Sequence, residues 1–254
     1  MLTANVFSDV FSLCNYAAQC FNYLADEAVE QRGRFLVALS GGSTPQTLFR
    51  LLAQAPYAQK IEWSKTHLFF ADERCVPADD PESNYGQVNR LLLSALGENR
   101  PQVYRMRGEL SPQAAAEDYA VQLKVLADQN MAWPRFDLIL LGMGTDGHTA
   151  SLFPGSEPYP PESVLAVEAF YQDRPAWRTT LTPQVINGAR QIFFMAAGAN
   201  KAAALAAVLN GTTDLKKWPA GRVRPSEGEV TWLVDEAAAA NLPQNLINRS
   251  SRRC

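Results

Sequence analysis

The sequence predicts an α/β fold in which a mostly parallel sheet carries helices on both faces, within one domain spanning residues 1–254. Three observations point there. Apolar runs of strand length recur at Phe35–Leu39, His67–Ala71, Phe136–Leu141, Ile192–Ala197 and Val230–Val234. Segments with helically spaced apolar residues lie between them, and strands that alternate with helices and are apolar throughout belong to parallel sheets covered on both sides. A chain of 254 residues, 47% hydrophobic and 19% charged, also has ample material for a core.

The elements follow in order. Val10, Cys14, Ala17, Ala18, Phe21, Leu24, Ala25 and Ala28 recur at helical spacing, and Gly33 stops that helix. After the Phe35 strand, Ser43 or Thr44 is placed to cap a helix, with Pro45 in its first turn and Leu48, Leu51 and Leu52 on its inner face. The His67 strand leads to a loop rich in Asp and Pro, from Pro77 to Glu82, and then a helix over 83–96. Pro112 opens a helix to about Asp128, and the Phe136 strand follows. Val164–Val167 forms a short strand, and Thr182-Pro183 caps a helix over 184–189. The Ile192 strand precedes a helix over 200–209 that Gly211 ends. The Val230 strand is the last, and the polar tail over 248–254 is expected to fray.

Composition excludes some functions. A net charge of -3 offers no general attraction to nucleic acid or an anionic membrane, so any bound anion needs a local site. No apolar run approaches the roughly 20 residues that span a bilayer. Met1 to Asn5 lacks a basic segment followed by an apolar core, so no secretory signal is expected. Cys14, Cys20, Cys75 and Cys254 share no metal-like spacing. Cys14 and Cys20 fall on different faces of one helix, and free thiols in a cytoplasmic protein are the expectation.

Ligands of parallel sheets bind beyond the carboxyl ends of the strands. Three strands here end in turns with chemical character. Ser40-Gly41-Gly42-Ser43-Thr44 joins a strand to a helix start, where paired glycines let the backbone approach an anion and outward amides attract it. The same residues could form a capped turn with no ligand. Neither G-K-[ST] nor G-x-G-x-x-G is present, so it is not a nucleotide loop. Asp72, Glu73 and Arg74 leave the next strand, either as a solvated charge cluster or as groups that handle substrate hydroxyls, protons and negative charge. Gly142 to His148 carries Asp146 and His148, one of only two histidines. That pair could work as a polarised base or merely tie down the loop. His67 has no neighbouring carboxylate and reads as structural. Arg178 and Lys201 are further candidate cations. Lys201 sits at a helix start, where the dipole opposes a positive charge and an anion would offset it. G-x-S-x-G and H-E-x-x-H are absent, which disfavours a covalent serine mechanism and a zinc hydrolase.

Together these stretches resemble the 6-phosphogluconolactonase family. The likeness rests on Ser40 to Pro45, Asp72 to Arg74 with Ser83-Asn84-Tyr85, and Gly142 to Gly155, which reads G-M-G-x-D-G-H-T-A-S-L-F-P-G. It continues through Arg178 to Thr182, Gly198 with Lys201, and Pro219 to Pro225. The resemblance implies a Rossmann-like sheet similar to glucosamine-6-phosphate deaminase and hydrolysis of 6-phospho-D-glucono-1,5-lactone in the oxidative pentose phosphate pathway. It implies no cofactor or metal, and no obligatory protein partner is evident. It assigns the substrate phosphate to Gly41, Gly42, Ser43, Arg178 and Lys201, the base to His148, its orientation to Asp146 and the oxyanion to Arg74 or loop amides. Two other readings stay open: a sugar-phosphate isomerase or deaminase with Asp72 as its proton carrier, and a sugar-phosphate-binding module without chemistry.

Overall fold

In a computed structural model, which describes residues 3–156, 159–169, 176–211 and 214–248, the apolar runs become neighbours in one sheet. The strands are β1 (Ala4–Phe7), β2 (Phe35–Leu39), β3 (Thr66–Phe70), β4 (Asp72–Arg74), β5 (Gln102–Val103), β6 (Leu138–Leu141), β7 (Val164–Glu168), β8 (Trp177–Leu181), β9 (Gln191–Ala196), β10 (Glu229–Asp235) and β11 (Ile247–Asn248). The helices are α1 (Val10–Arg32), α2 (Ser43–Leu52), α3 (Tyr57–Lys60), α4 (Asn84–Leu91), α5 (Pro112–Val125), α6 (Pro183–Asn187) and α7 (Ala202–Leu209). The main sheet runs β11-β1-β10-β9-β6-β2-β3-β5, with every pairing parallel.

The two faces of this sheet build two cores. Phe35, Val37 and Leu39 join Leu138 and Leu140 on one side, under α1, α2 and α4. Leu36 and Ala38 join Ile139 and Leu141 on the other, with Tyr119 and Leu123 of α5 and Leu205 of α7. Side chains alternate across a strand, so a strand buried on both faces must be apolar at every position. That is why β2 and β6 were legible as unbroken runs.

Helix α1 begins where its pattern predicts. The Asp9 carboxylate accepts from the Ser12 N–H at 2.7 Å, and Gly33, at φ 72°, closes the helix by donating to the Val29 carbonyl at 2.8 Å. Glycine takes that left-handed cap with no Cβ penalty.

Several expectations need correction. Neither Ser43 nor Thr44 caps α2; Gly42 holds the cap position with no side-chain bond, because Ser43 already lies inside the helix. The helix expected over 83–96 ends at Leu91 and continues as a tighter turn over Leu93–Ala95. Thr182 does hold the cap position of α6, with Pro183 opening the helix as expected, but its hydroxyl donates to the Glu162 carbonyl and makes no cap bond. Asn248 does not fray: β11 pairs with β1 and its side-chain amide donates to Asn5. The rest of the expected tail, 249–254, lies outside the described residues. Cys14 and Cys75 are free thiols, but Cys20 is disulfide-bonded. Its partner is not Cys14, whose thiol is free.

A second sheet was not foreseen. Strands β4, β8 and β7 pair antiparallel and stand beside the carboxyl ends of the main strands. Their sequences, Asp-Glu-Arg and Trp-Arg-Thr-Thr-Leu, carry too little apolar pattern to announce a strand. His67 behaves as read, with its Nδ1 3.2 Å from the Tyr104 hydroxyl and its ring stacked on that tyrosine. No helix of the described residues is long and apolar enough to cross a membrane.

Candidate active site

Four consecutive strands of the sheet, β3, β2, β6 and β9, deliver four turns to one rim. They enclose a cleft of about 290 Å³ lined by Ser40 to Pro45, Asp72, Arg74, Asn84, Gly142 to Gly144, His148 and Lys201, among others. The cradle, the acidic strand end and the histidine turn, separate in sequence, are thus walls of one space. A larger groove of about 810 Å³, lined by Arg224, Glu229 and Asn245 among others, has no such acid–base pair.

The cradle wall is backbone. Gly42 sits at φ 116°, a region closed to other residues without strain. A Cβ on Gly41 would fall 1.9 Å from Asn84 Oδ1, so glycine is required there too. No side chain caps α2, so the backbone N–H groups of Ser43 and Thr44, both cleft-lining residues, have no side-chain cap to accept from them. Ser40 Oγ and Asn84 Oδ1 are buried without a hydrogen-bond partner, and both residues line the cleft. A ligand rich in hydroxyl and phosphate oxygens could engage all of these groups.

The histidine wall is a tight turn. Gly144 N–H donates to the His148 carbonyl at 2.8 Å, and Thr149 Oγ1 donates to the Gly142 carbonyl at 2.8 Å. Gly147, at φ 80°, lies against the Trp218 ring, and its carbonyl accepts from Ala220. Asp146 Oδ1 lies 2.6 Å from His148 Nδ1 and accepts from the His148 backbone N–H at 3.2 Å. With Nδ1 so engaged, Nε2 is the free nitrogen. Partial burial pushes the Asp146 carboxyl up, but hydrogen bonds and charge from His148 outweigh it and hold the carboxyl below its ordinary value. Asp146 is therefore ionised at neutral pH and available as an acceptor for the imidazole.

Gly144 gives a direct test. A Cβ there would meet His148 Nδ1 at 2.1 Å and Asp146 Oδ1 at 2.4 Å. Gly144→Ala should therefore split the pair and lower turnover by about 100-fold, since displacement of a reacting group by about 1 Å costs that much. Steady-state kinetics check it, with thermal unfolding run in parallel to show that the fold survives.

The acidic strand end divides by alternation. Asp72 and Arg74 leave one side of β4 and line the cleft, whereas Glu73 leaves the other. Asp72 Oδ2 accepts from Ser151 Oγ at 2.7 Å, and Asn84 Nδ2 donates to the Asp72 carbonyl at 2.9 Å. Arg74 Nη1 is held by the Glu82 carbonyl. Glu73 is buried and accepts from the N–H groups of Arg74, Asn84 and Tyr85 and from Ser83 Oγ. It anchors the start of α4 and does not line the cleft, so the expectation that it binds substrate gives way to an architectural one. Arg178 lies directly across the β4–β8 pair from Arg74, buried, and is also not a lining residue.

Lys201 does line the cleft. Burial holds its ammonium below the ordinary pKa, and the charge of Asp146 pulls the other way. Its turn begins at Gly198, at φ 96°, whose N–H donates to the Asp235 carboxylate at 3.0 Å. Asp235 and Asn84 were not singled out from sequence. Asp235 ends an apolar strand as Asp72 follows one, which was the available signal; Asn84 had none beyond its place in a matching stretch. Among the described residues, no three His, Cys, Asp or Glu side chains are grouped to hold a metal ion.

Comparison with known proteins agrees with this geometry. The profile of the family described as glucosamine-6-phosphate isomerases/6-phosphogluconolactonase matches residues 8–232. The chain is 37% identical over 202 residues to the 6-phosphogluconolactonase of Haemophilus influenzae, covering 80% of this chain and 85% of that one. It is 37% identical to the Nostoc 6-phosphogluconolactonase, covering 85% and 88%. The solved structure of 6-phosphogluconolactonase from Trypanosoma brucei superposes with a TM-score of 0.83 at 30% identity, covering 96% of this chain and 99% of that one. A monomeric glucosamine-6-phosphate deaminase, at 19% identity and a TM-score of 0.77, shares the fold. With the match running through nearly every strand and through all four turns of the cleft, the chain belongs to the glucosamine-6-phosphate isomerase/6-phosphogluconolactonase family.

Proposed function

We propose that the chain is a 6-phosphogluconolactonase that opens the ring ester of 6-phospho-D-glucono-1,5-lactone with a water activated by His148. The observation that carries this is the Asp146–His148 pair on the same cleft as the Ser40–Thr44 cradle. The cradle amides and Lys201 hold the phosphate, and Arg178, the cross-strand neighbour of Arg74 on the same face, adds buried positive charge. Fixing the phosphate places the ester carbonyl beside the imidazole, which removes much of the entropic cost of the encounter.

His148 Nε2 takes a proton from water as the oxygen attacks the carbonyl carbon. Asp146, ionised, steadies the imidazolium that forms. Arg74 or loop amides stabilise the oxyanion. Collapse expels the ring oxygen, which receives the proton from His148, and the free acid leaves. A lactone is an activated ester, so one general base and a positioned pocket suffice without a covalent intermediate.

The isomerase or deaminase reading requires Asp72 as a mobile proton carrier. Its carboxylate instead accepts from Ser151 and lies 3.3 Å from Asn84 Nδ2, which supports a role in binding hydroxyls or shaping the wall. The test is direct: the purified chain should release acid from the lactone faster than the spontaneous reaction, and should form neither ammonia nor ketose from aminosugar or aldose phosphates. Ammonia or ketose production without lactone hydrolysis would overturn the proposal, and binding without turnover would favour the non-catalytic module. Lys201→Ala should raise KM about tenfold or more while changing kcat much less, because it removes binding shared by ground and transition states. Initial-rate measurements over a range of lactone concentrations check that split.

A further inference from the structure

We propose a second anion site at the opposite end of the sheet, an arginine-lined cavity that takes a small polyanion bearing two or more phosphate groups. The cavity, about 390 Å³, is lined by Arg32, Arg34, Leu36, Asp128, Arg135, Asp137 and Arg190. Four guanidiniums and two carboxylates line it, and a third carboxylate, Glu227, reaches Arg135 from outside the lining, so positive charge is in excess and an anion is favoured there. Asp137 is the buried organiser. It accepts from the Leu36 N–H at 2.8 Å and from Arg32 Nε at 2.9 Å, and lies 3.4 Å from Arg190 Nε. Arg32 and Arg190 are thereby set in place on a backbone whose links include Asp137 N–H to the Leu36 carbonyl and Arg190 N–H to the Phe136 carbonyl.

The other two arginines are each braced by one backbone carbonyl, Arg34 donating to Leu126 at 3.2 Å and Arg135 to Glu227 at 2.9 Å, while their carboxylate partners are solvated. Arg34 lies 3.7 Å from Asp128, whose side chain is 72% exposed, and Arg135 lies 3.4 Å from the Glu227 carboxylate, whose side chain is 80% exposed. Ion pairs this solvated contribute little, so an incoming phosphate can replace them at small cost. A guanidinium fork matches two phosphate oxygens at once, which an ammonium cannot do. Leu36 is the one apolar residue of the lining, and no aromatic ring is present to stack on a base. The site therefore reads phosphates, not a nucleobase.

Its position adds meaning. Arg34 precedes β2, Arg135 and Asp137 precede β6, and Arg190 precedes β9. These three strands carry the cradle, the histidine turn and the lysine turn at their other ends.

Inorganic pyrophosphate, titrated calorimetrically at fixed physiological ionic strength, is the probe. The wild-type chain should bind it, and Lys201→Ala should retain a binding site. Arg34→Gln combined with Arg135→Gln should weaken that retained site at least tenfold and leave lactone turnover without pyrophosphate unchanged. Arg135→Lys, which keeps the charge and removes the fork, gives an independent reading and should weaken binding to a smaller degree. No binding by the wild type at this ionic strength would overturn the proposal. So would binding abolished by Lys201→Ala yet unaffected by both arginine variants, which would place pyrophosphate in the catalytic cleft alone.

Discussion

Replacing His148 with Asn is expected to lower kcat for lactone hydrolysis by about 100- to 10,000-fold, the usual contribution of a positioned general base. Asn fills similar space and can still donate to the Asp146 carboxylate, so the turn should hold. The cradle, Lys201 and Arg74 are untouched, and affinity for 6-phosphogluconate should stay within a few-fold of wild type. Since the lactone hydrolyses spontaneously, the comparison must be made above that background, with wild type and variant at equal concentration. Retained full turnover in the variant would remove the imidazole from the mechanism. Equal loss of product affinity and turnover would instead make His148 a binding residue.

The second large effect concerns stability. Glu73→Ala is expected to cost about 3 kcal/mol or more, because three backbone N–H groups and the Ser83 hydroxyl lose their acceptor in a buried place. In a chain of this size that corresponds to a fall in Tm of roughly 6–12 °C. Glu73→Gln is not a remedy. Each carboxylate oxygen accepts from two donors, and the amide nitrogen of Gln would face one such pair with hydrogens of its own. Thermal unfolding of the three proteins under one buffer checks this. At low temperature the folded Ala variant should retain far more turnover than His148→Asn, since Glu73 supports the cleft without lining it. A Tm within 2 °C of wild type, below the range that loss of these bonds implies, would show that water takes over as acceptor.

What the sequence disclosed follows the physics of burial. Strands β2, β6 and β9 lie inside the sheet with both faces covered, so their composition is nearly free of polar residues. The edge strand β11 and the small-sheet strands β4 and β8 are short or polar, and their pairing depends on partners distant in the chain. The turns that carry chemistry were legible because they interrupt apolar runs abruptly. Glu73 shows the limit of that signal: a charged residue at a strand end announces that something polar is satisfied there, not which side of the strand satisfies it. Counting in twos would have separated it from Asp72 and Arg74, had β4 been recognised as a strand. Asp235 meets Gly198 beyond the next strand of its own sheet, and Arg178 faces Arg74 in the small sheet, neighbours that only the folded register reveals.

The order of the four central strands has a consequence for substrate choice. Neighbouring strands in a sheet stand about 4.8 Å apart, and the cradle and the histidine turn leave adjacent strands, β2 and β6. In the proposed mechanism the gap between the phosphate anchor and the attacking water is thus set by the hydrogen-bonded spacing of these two strands. The sheet serves as a gauge for the length of the sugar: a phosphorylated lactone one carbon shorter would be gripped at its anion yet present its ester short of the imidazole.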